Sequence, residues 1–121
     1  MAVVFRICPL FQETAQEKMK TPGLDQKFKE FKASKEANPI GQYGSRDGMF
    51  AGGGNFTKEV PKLRHAHLTH DISILYRLSG ANPTVIDLFG FFTHDDIGTG
   101  QPANIKKQKA AARRMAGQDF A

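Results

Sequence analysis

Leu63-Arg64-His65-Ala66-His67-Leu68-Thr69-His70-Asp71-Ile72-Ser73-Ile74-Leu75-Tyr76-Arg77-Leu78 opens the segment that decides the fold, residues 63–96. All four histidines of the chain, His65, His67, His70 and His94, fall inside it. Residues 62–69 alternate: Leu63, His65, His67 and Thr69 point one way, and Arg64, Ala66, Leu68 and His70 the other. Residues 72–78 make a second strand and 84–93 a third, Phe-rich inside. Ser79-Gly80-Ala81-Asn82-Pro83 is the hairpin loop between them. The segment reads as a three-stranded antiparallel sheet with histidines and a carboxylate at its strand ends.

Upstream, residues 2–8 are β-branched and aromatic and stop at Pro9. They read as a strand buried on both faces. Residues 10–20 carry Phe11, Ala15 and Met19 at spacing four, a helical stripe ended by Thr21-Pro22-Gly23. Residues 24–36 form a second helix on Leu24, Phe28 and Phe31, with Asp25 at its dipole-favoured start. Lys27, Lys29, Lys32 and Lys35 stud its other face, which is either simply solvated or tracks phosphates. Residues 37–57, with Asn38-Pro39, Asp47-Gly48 and Gly52-Gly53-Gly54, read as one long loop. No Gly-Lys-Ser/Thr follows the glycines, which argues against a phosphate cradle there.

Downstream, Asp95 to Pro102 is an irregular exit and 104–118 a basic helix. Its apolar side is thin (Ile105, Ala112, Met115), so it packs weakly or awaits a partner. The order is β-α-α-β-β-β-α, an α+β architecture with the two N-terminal helices on one face of the sheet. At 121 residues the chain, 1–121, fits a single domain that buries about two-thirds of its unfolded surface. Ten Phe supply the core, and the formal charge of +5 favours an acidic partner such as nucleic acid. No apolar run approaches the ~20 residues of a membrane span, and the N-terminus is a poor signal peptide. The single Cys8 excludes an internal disulfide and a Cys-rich zinc site. A cytoplasmic location is expected.

His65 and His67 share a face about 7 Å apart along their strand. Asp71 lies in the turn beyond, and His94 closes the last strand. Should that strand pair beside the central one, His94 reaches the same rim. Imidazoles exchange protons near neutral pH. A neutral and a charged one together suit RNA cleavage: one deprotonates the 2′-OH, which attacks the adjacent phosphorus, and the other protonates the 5′-oxygen. A nearby cation stabilises the added phosphoryl charge. Arg46, Lys58, Lys62, Arg64 and Arg77 are candidates, and neither metal nor other cofactor is required. Other readings stand beside this one. The histidines could be ordinary surface or core residues, or His-x-His could hold zinc. Asp95-Asp96 could bind a cation or form a turn. Phe89, Phe91 and Phe92 could stack bases or fill the core.

Residues 64–78 also resemble the central hairpin of the RelE/YafQ-type toxins of bacterial toxin–antitoxin systems. YafQ-like members carry Ala-His-x-x-x-Asp, an apolar strand ending in Tyr-Lys-Leu, and a further strand ending in Gly-x-His. The matching positions are Ala66-His67 and Asp71, Tyr76-Arg77-Leu78, and His94, four residues after Gly90 rather than two. The resemblance implies a RelE-like fold and a ribosome-dependent endoribonuclease that cuts mRNA and is neutralised by a cognate antitoxin. His67 and His94 would share the acid–base work, with Asp71 orienting or assisting one of them. Two features depart from the pattern. Gly52-Gly53-Gly54 stands where those toxins have a loop histidine, for which His65 or His70 could substitute. Asp95-Asp96-Ile97-Gly98 follows His94 where they have an aromatic residue. Two other classes compete: an inhibitor acting by protein binding, as in gyrase-poisoning relatives, and a nucleic-acid-binding regulator without catalysis.

Overall fold

The computed structural model describes residues 3–44, 46–50, 54–81 and 83–121. Gly52, Gly53 and the hairpin-loop residue Asn82 lie outside the described residues. The element order is β1 (Val3–Arg6), α1 (Pro9–Lys18), α2 (Leu24–Ala37), β2 (Asp47–Met49), α3 (Gly54–Glu59), β3 (Arg64–His67), β4 (Ser73–Ala81), β5 (Thr84–Phe92) and α4 (Ile105–Ala116). The strands form one sheet in the order β1-β5-β4-β3-β2. Strands β2 to β5 pair antiparallel, and β1 runs parallel to β5. The expected meander is β3–β4–β5, and the α+β architecture is as the sequence indicates.

The alternation in β3 sorts the sheet's two faces. Ala66, Ile74 and Phe91 lie opposite one another across three strands, and all are fully buried. Phe11 of α1 and Phe28 of α2 close on the Phe91 ring at 5.3 and 5.2 Å. Phe31 of α2 meets Tyr76 edge-on at 5.2 Å. Burying each such ring contributes about 1.5–3 kcal/mol, so this face holds α1 and α2 in place. Helix α1 starts with Pro9 in its first turn, where a missing N–H costs nothing. It comes so close to β5 that a Cβ on Gly90 would collide with Thr14 Oγ1. Thr14 Oγ1 itself accepts from Phe91 N at 3.1 Å, and Gly90 has φ +147°, a conformation that favours glycine.

Three expectations need correction. Strand β1 is not buried on both faces: Val4 is exposed. Among the described residues it is an edge strand paired with β5. The segment 37–57 is not one loop, because β2 and the start of α3 form within it. Asp-Gly-Met has little strand preference of its own; a tertiary ion pair holds it. Asp47 Oδ2 receives Lys35 Nζ at 2.5 Å and Tyr43 N at 2.7 Å, and Oδ1 receives the Tyr76 hydroxyl. Lys35 is therefore not on the solvated face. It follows Leu24, Phe28 and Phe31 on the apolar stripe of α2, and its side chain is fully buried. It donates also to Gly41 O at 2.6 Å and lies over the Phe31 and Tyr76 rings.

Helix α4 does not pack through Ile105, which is exposed. Its buried stripe is Gln108, Ala112 and Met115, so a glutamine supplies what an apolar count misses. Gln108 Nε2 donates to Gly98 O at 2.8 Å, and Asn104 caps the helix by accepting from Lys107 N at 3.0 Å. Arg114 pairs with Glu13 of α1. Beyond α4 the chain returns to the end of β1, where Ile7 and Ala121 exchange both backbone hydrogen bonds.

Candidate active site

His65 and His67 project from the face of β3 opposite Ala66. His65 stands across from Gly48 of β2 and Leu75 of β4, and His67 across from Ser73, which in turn faces Phe92 of β5. His94 follows Phe92 by two residues, so the antiparallel pairing returns it to the same rim. The His65 and His67 ring centroids are 5.5 Å apart, and those of His67 and His94 6.1 Å. On the inner side, Phe50 meets both His65 and Phe56 edge-on at 5.2 Å. Five rings thus run from the core at Phe56 to the exposed His94.

Two of these imidazoles are biased toward the neutral form. Burial pushes the His65 pKa down first, and the neighbouring His67 adds to it. His65 Nδ1 is also buried without a hydrogen-bond partner among the described residues, and an imidazolium there would need an acceptor. His67 is pushed down by burial, then by the charges of Arg46, His94 and His70.

His94 is fixed by its loop. Thr93 N donates to Asp96 Oδ2 at 2.9 Å and Asp96 N to Thr93 Oγ1 at 3.1 Å. Lys18 of α1 reaches the same Asp96 carboxylate at 2.9 Å. The His94 ring meets Thr99 Oγ1 through Nδ1 at 2.8 Å. Thr99 carries no signal in the sequence that would have singled it out. Asp96 is thus a turn-forming carboxylate, and Asp95 is exposed, 3.9 Å from Lys107.

Not every anticipated residue is brought to these rings. Asp71 lies in the turn after β3 with its side chain 78% exposed, 3.9 Å from the exposed His70. Neither is hydrogen-bonded to His67 or His94 among the described residues, although the His70 charge acts on His67. Among the anticipated cations, Arg46 is beside the rings. Its carbonyl accepts from His67 N at 3.3 Å. Arg46 lines both a hollow of about 380 Å³, with Lys27, Tyr43, Gly44 and His67, and one of about 290 Å³, with Gly48, Met49, His65 and His67. Tyr43 is a lining residue that sequence reasoning missed, and Lys27 comes from the lysine-studded face of α2. Arg64 is turned to the other face, within 3.4 Å of the Tyr76 hydroxyl. Arg77 pairs with the buried Asp87 at 3.3 Å, four residues along β4 from the partner of His67. Lys58 on α3 and Lys62 before β3 are exposed. Phe89, Phe91 and Phe92 are all buried and serve the core rather than base stacking. No group of three or more His, Cys, Asp or Glu side chains among the described residues is placed to hold a metal ion.

Among solved structures, the fold is similar to a YoeB/ParE toxin from Agrobacterium tumefaciens, with a TM-score of 0.56 over 78% of this chain and 99% of that one. This is a RelE/ParE-like fold. Sequence identity across the match is 13%, so the likeness is one of architecture. No family model matches the sequence, and no curated protein does. Within the RelE/ParE-like fold, the imidazole row lies on the sheet face opposite α1 and α2. No helix among the described residues is long and apolar enough to cross a membrane.

Proposed function

We propose that the chain is a toxin of the toxin–antitoxin kind that cleaves mRNA at the ribosome by metal-independent acid–base catalysis. The observation that carries this reading is the 6.1 Å approach of the His67 and His94 rings, which come from separate stretches of sequence. Hydrogen bonds of about 2.6–3.2 Å from each ring bracket one phosphodiester between them. His67, biased to the neutral form, takes the 2′-OH proton. His94 protonates the departing 5′-oxygen. Arg46 steadies the phosphoryl oxygens as charge builds on them. His65 stands behind His67 at 5.5 Å and steadies its ring, a role in place of the missing loop histidine. Asp71 and His70, at the exposed turn, contact the ribosome or RNA rather than the reacting atoms. A cognate antitoxin would cover the basic rim, and the site of action is the cytoplasm.

The test is expression of His67→Ala/His94→Ala beside wild type, with growth and primer extension on cellular mRNA as readouts. Wild type should arrest growth and leave discrete mRNA ends, and the double variant should do neither. Arrest by the double variant with intact mRNA would replace this reading by one of protein binding. The YoeB/ParE label of the structural neighbour keeps that second reading in view.

A further inference from the structure

We infer that Thr99 is the positioning residue of His94, its hydroxyl oxygen accepting from Nδ1–H so that proton exchange is confined to Nε2. This rests on the acid–base reading above and adds the group that makes His94 competent for it. His94 Nδ1 lies 2.8 Å from Thr99 Oγ1, and Thr99 N donates to His94 O at 2.9 Å. Side chain and backbone of His94 are thus tied to one residue five positions on.

An imidazole that gives and regains a proton needs a partner on its other nitrogen that suits both states. The neutral ring carries one N–H and the imidazolium two. An oxygen that accepts from Nδ1–H satisfies both, and only the Nε2 proton comes and goes. With the opposite polarity, the hydroxyl donating to a bare Nδ1, that bond would have to reverse at every protonation. A hydroxyl is also uncharged. It orients the ring without the electrostatic pull by which a carboxylate stabilises an imidazolium.

The nearby carboxylates are engaged elsewhere. Asp96 is bound by Lys18 and the Thr93 turn, Asp95 faces Lys107, and Asp71 lies beside His70. Thr99 is itself held from α4. Gly98 O accepts from Asn104 N at 2.9 Å and from the buried Gln108 side chain at 2.8 Å. Gly98 has φ +76°, and a Cβ there would collide with Asn104 O. The first turn of α4 therefore sets the residue before Thr99, and through it the His94 ring.

The experiment is long-range ¹H–¹⁵N correlation of the imidazole nitrogens in the full ¹⁵N-labelled chain. His94 signals are identified by their loss in His94→Gln. With the ring neutral, wild type should show a protonated Nδ1 and a bare Nε2. Thr99→Val keeps the branched shape and removes the acceptor. It should move the ring to the Nε2–H form that a free histidine side chain favours in water, and Thr99→Ser should restore the wild-type pattern. In mRNA cleavage, the Val variant should lose kcat by about 10- to 100-fold with KM little changed, and the Ser variant should keep it. A proton on Nε2 of neutral His94 in wild type, or a nitrogen pattern unmoved by Val, would overturn the inference. Wild type that leaves RNA intact would defeat the ribonuclease reading instead, and the nitrogen shifts would still decide what Thr99 does.

Discussion

Replacing Lys35 by Met removes the cation from a carboxylate that water does not reach. The side chains of Lys35 and Asp47 are both fully buried. Asp47 would keep the Tyr43 N–H and the Tyr76 hydroxyl, two neutral donors facing a full negative charge. Breaking a buried pair by removing one partner costs about 3–5 kcal/mol, and the remaining hydrogen bonds place this case near the lower figure. Replacing Asp47 by Asn should cost a similar amount, because the buried Lys35 ammonium then has only neutral acceptors, the Gly41 carbonyl and the amide oxygen. The double variant Lys35→Met/Asp47→Asn carries no buried charge. It should be destabilised by less than the sum of the two, with a coupling of about 1–3 kcal/mol. Urea unfolding at pH 7 followed by far-ultraviolet circular dichroism gives all four stabilities. A loss below about 1 kcal/mol in Lys35→Met, the usual range for an exposed pair, would refute the argument. So would strict additivity in the double variant.

Two further outcomes follow from the packing and the titrating groups. Gly90→Ala forces a Cβ into Thr14 Oγ1 at a φ that alanine resists; it should lower stability by about 2 kcal/mol or more, read as a fall in Tm. His65 and His67 are held below the ordinary histidine pKa by burial and neighbouring charge. The unfolded chain therefore binds more protons, and their contribution, present above about pH 6.5, is lost as pH falls through the folded pKa values. His65→Phe should flatten that slope between about pH 6.5 and 5, and an unchanged slope would show that His65 is not the group responsible.

Much of this architecture is legible in the sequence because it depends on local period. The alternation over residues 62–69 puts His65 and His67 on one face and Ala66 on the other. The hairpin then returns His94 to the same rim. Where side chains decide over long separations, sequence reasoning falls short. Strand β2 exists because Asp47 meets Lys35 and Tyr76, and nothing in Asp-Gly-Met announces it. Asp71 looks like a site carboxylate by spacing, but β3 ends at His67 and the turn closes on itself. Leu68 N and Thr69 N both donate to Ile72 O, and Thr69 Oγ1 accepts from Asp71 N and Ile72 N. That turn leaves the Asp71 side chain outward. Thr99 was missed because a threonine in an irregular exit is ordinary until the ring it contacts is known.

Strand β3 has a single usable reading frame. Its middle residue fits only where Ile74 and Phe91 leave room for a methyl group, and the residues on either side of it form the imidazole row. An insertion or deletion of one codon just upstream would leave composition, charge and every residue type almost unaltered. It would nevertheless turn both rings into the hydrocarbon interior and expose the alanine to water. The spacing that builds the interior therefore also guards the chemistry, and a chain that lost one would lose the other in the same step.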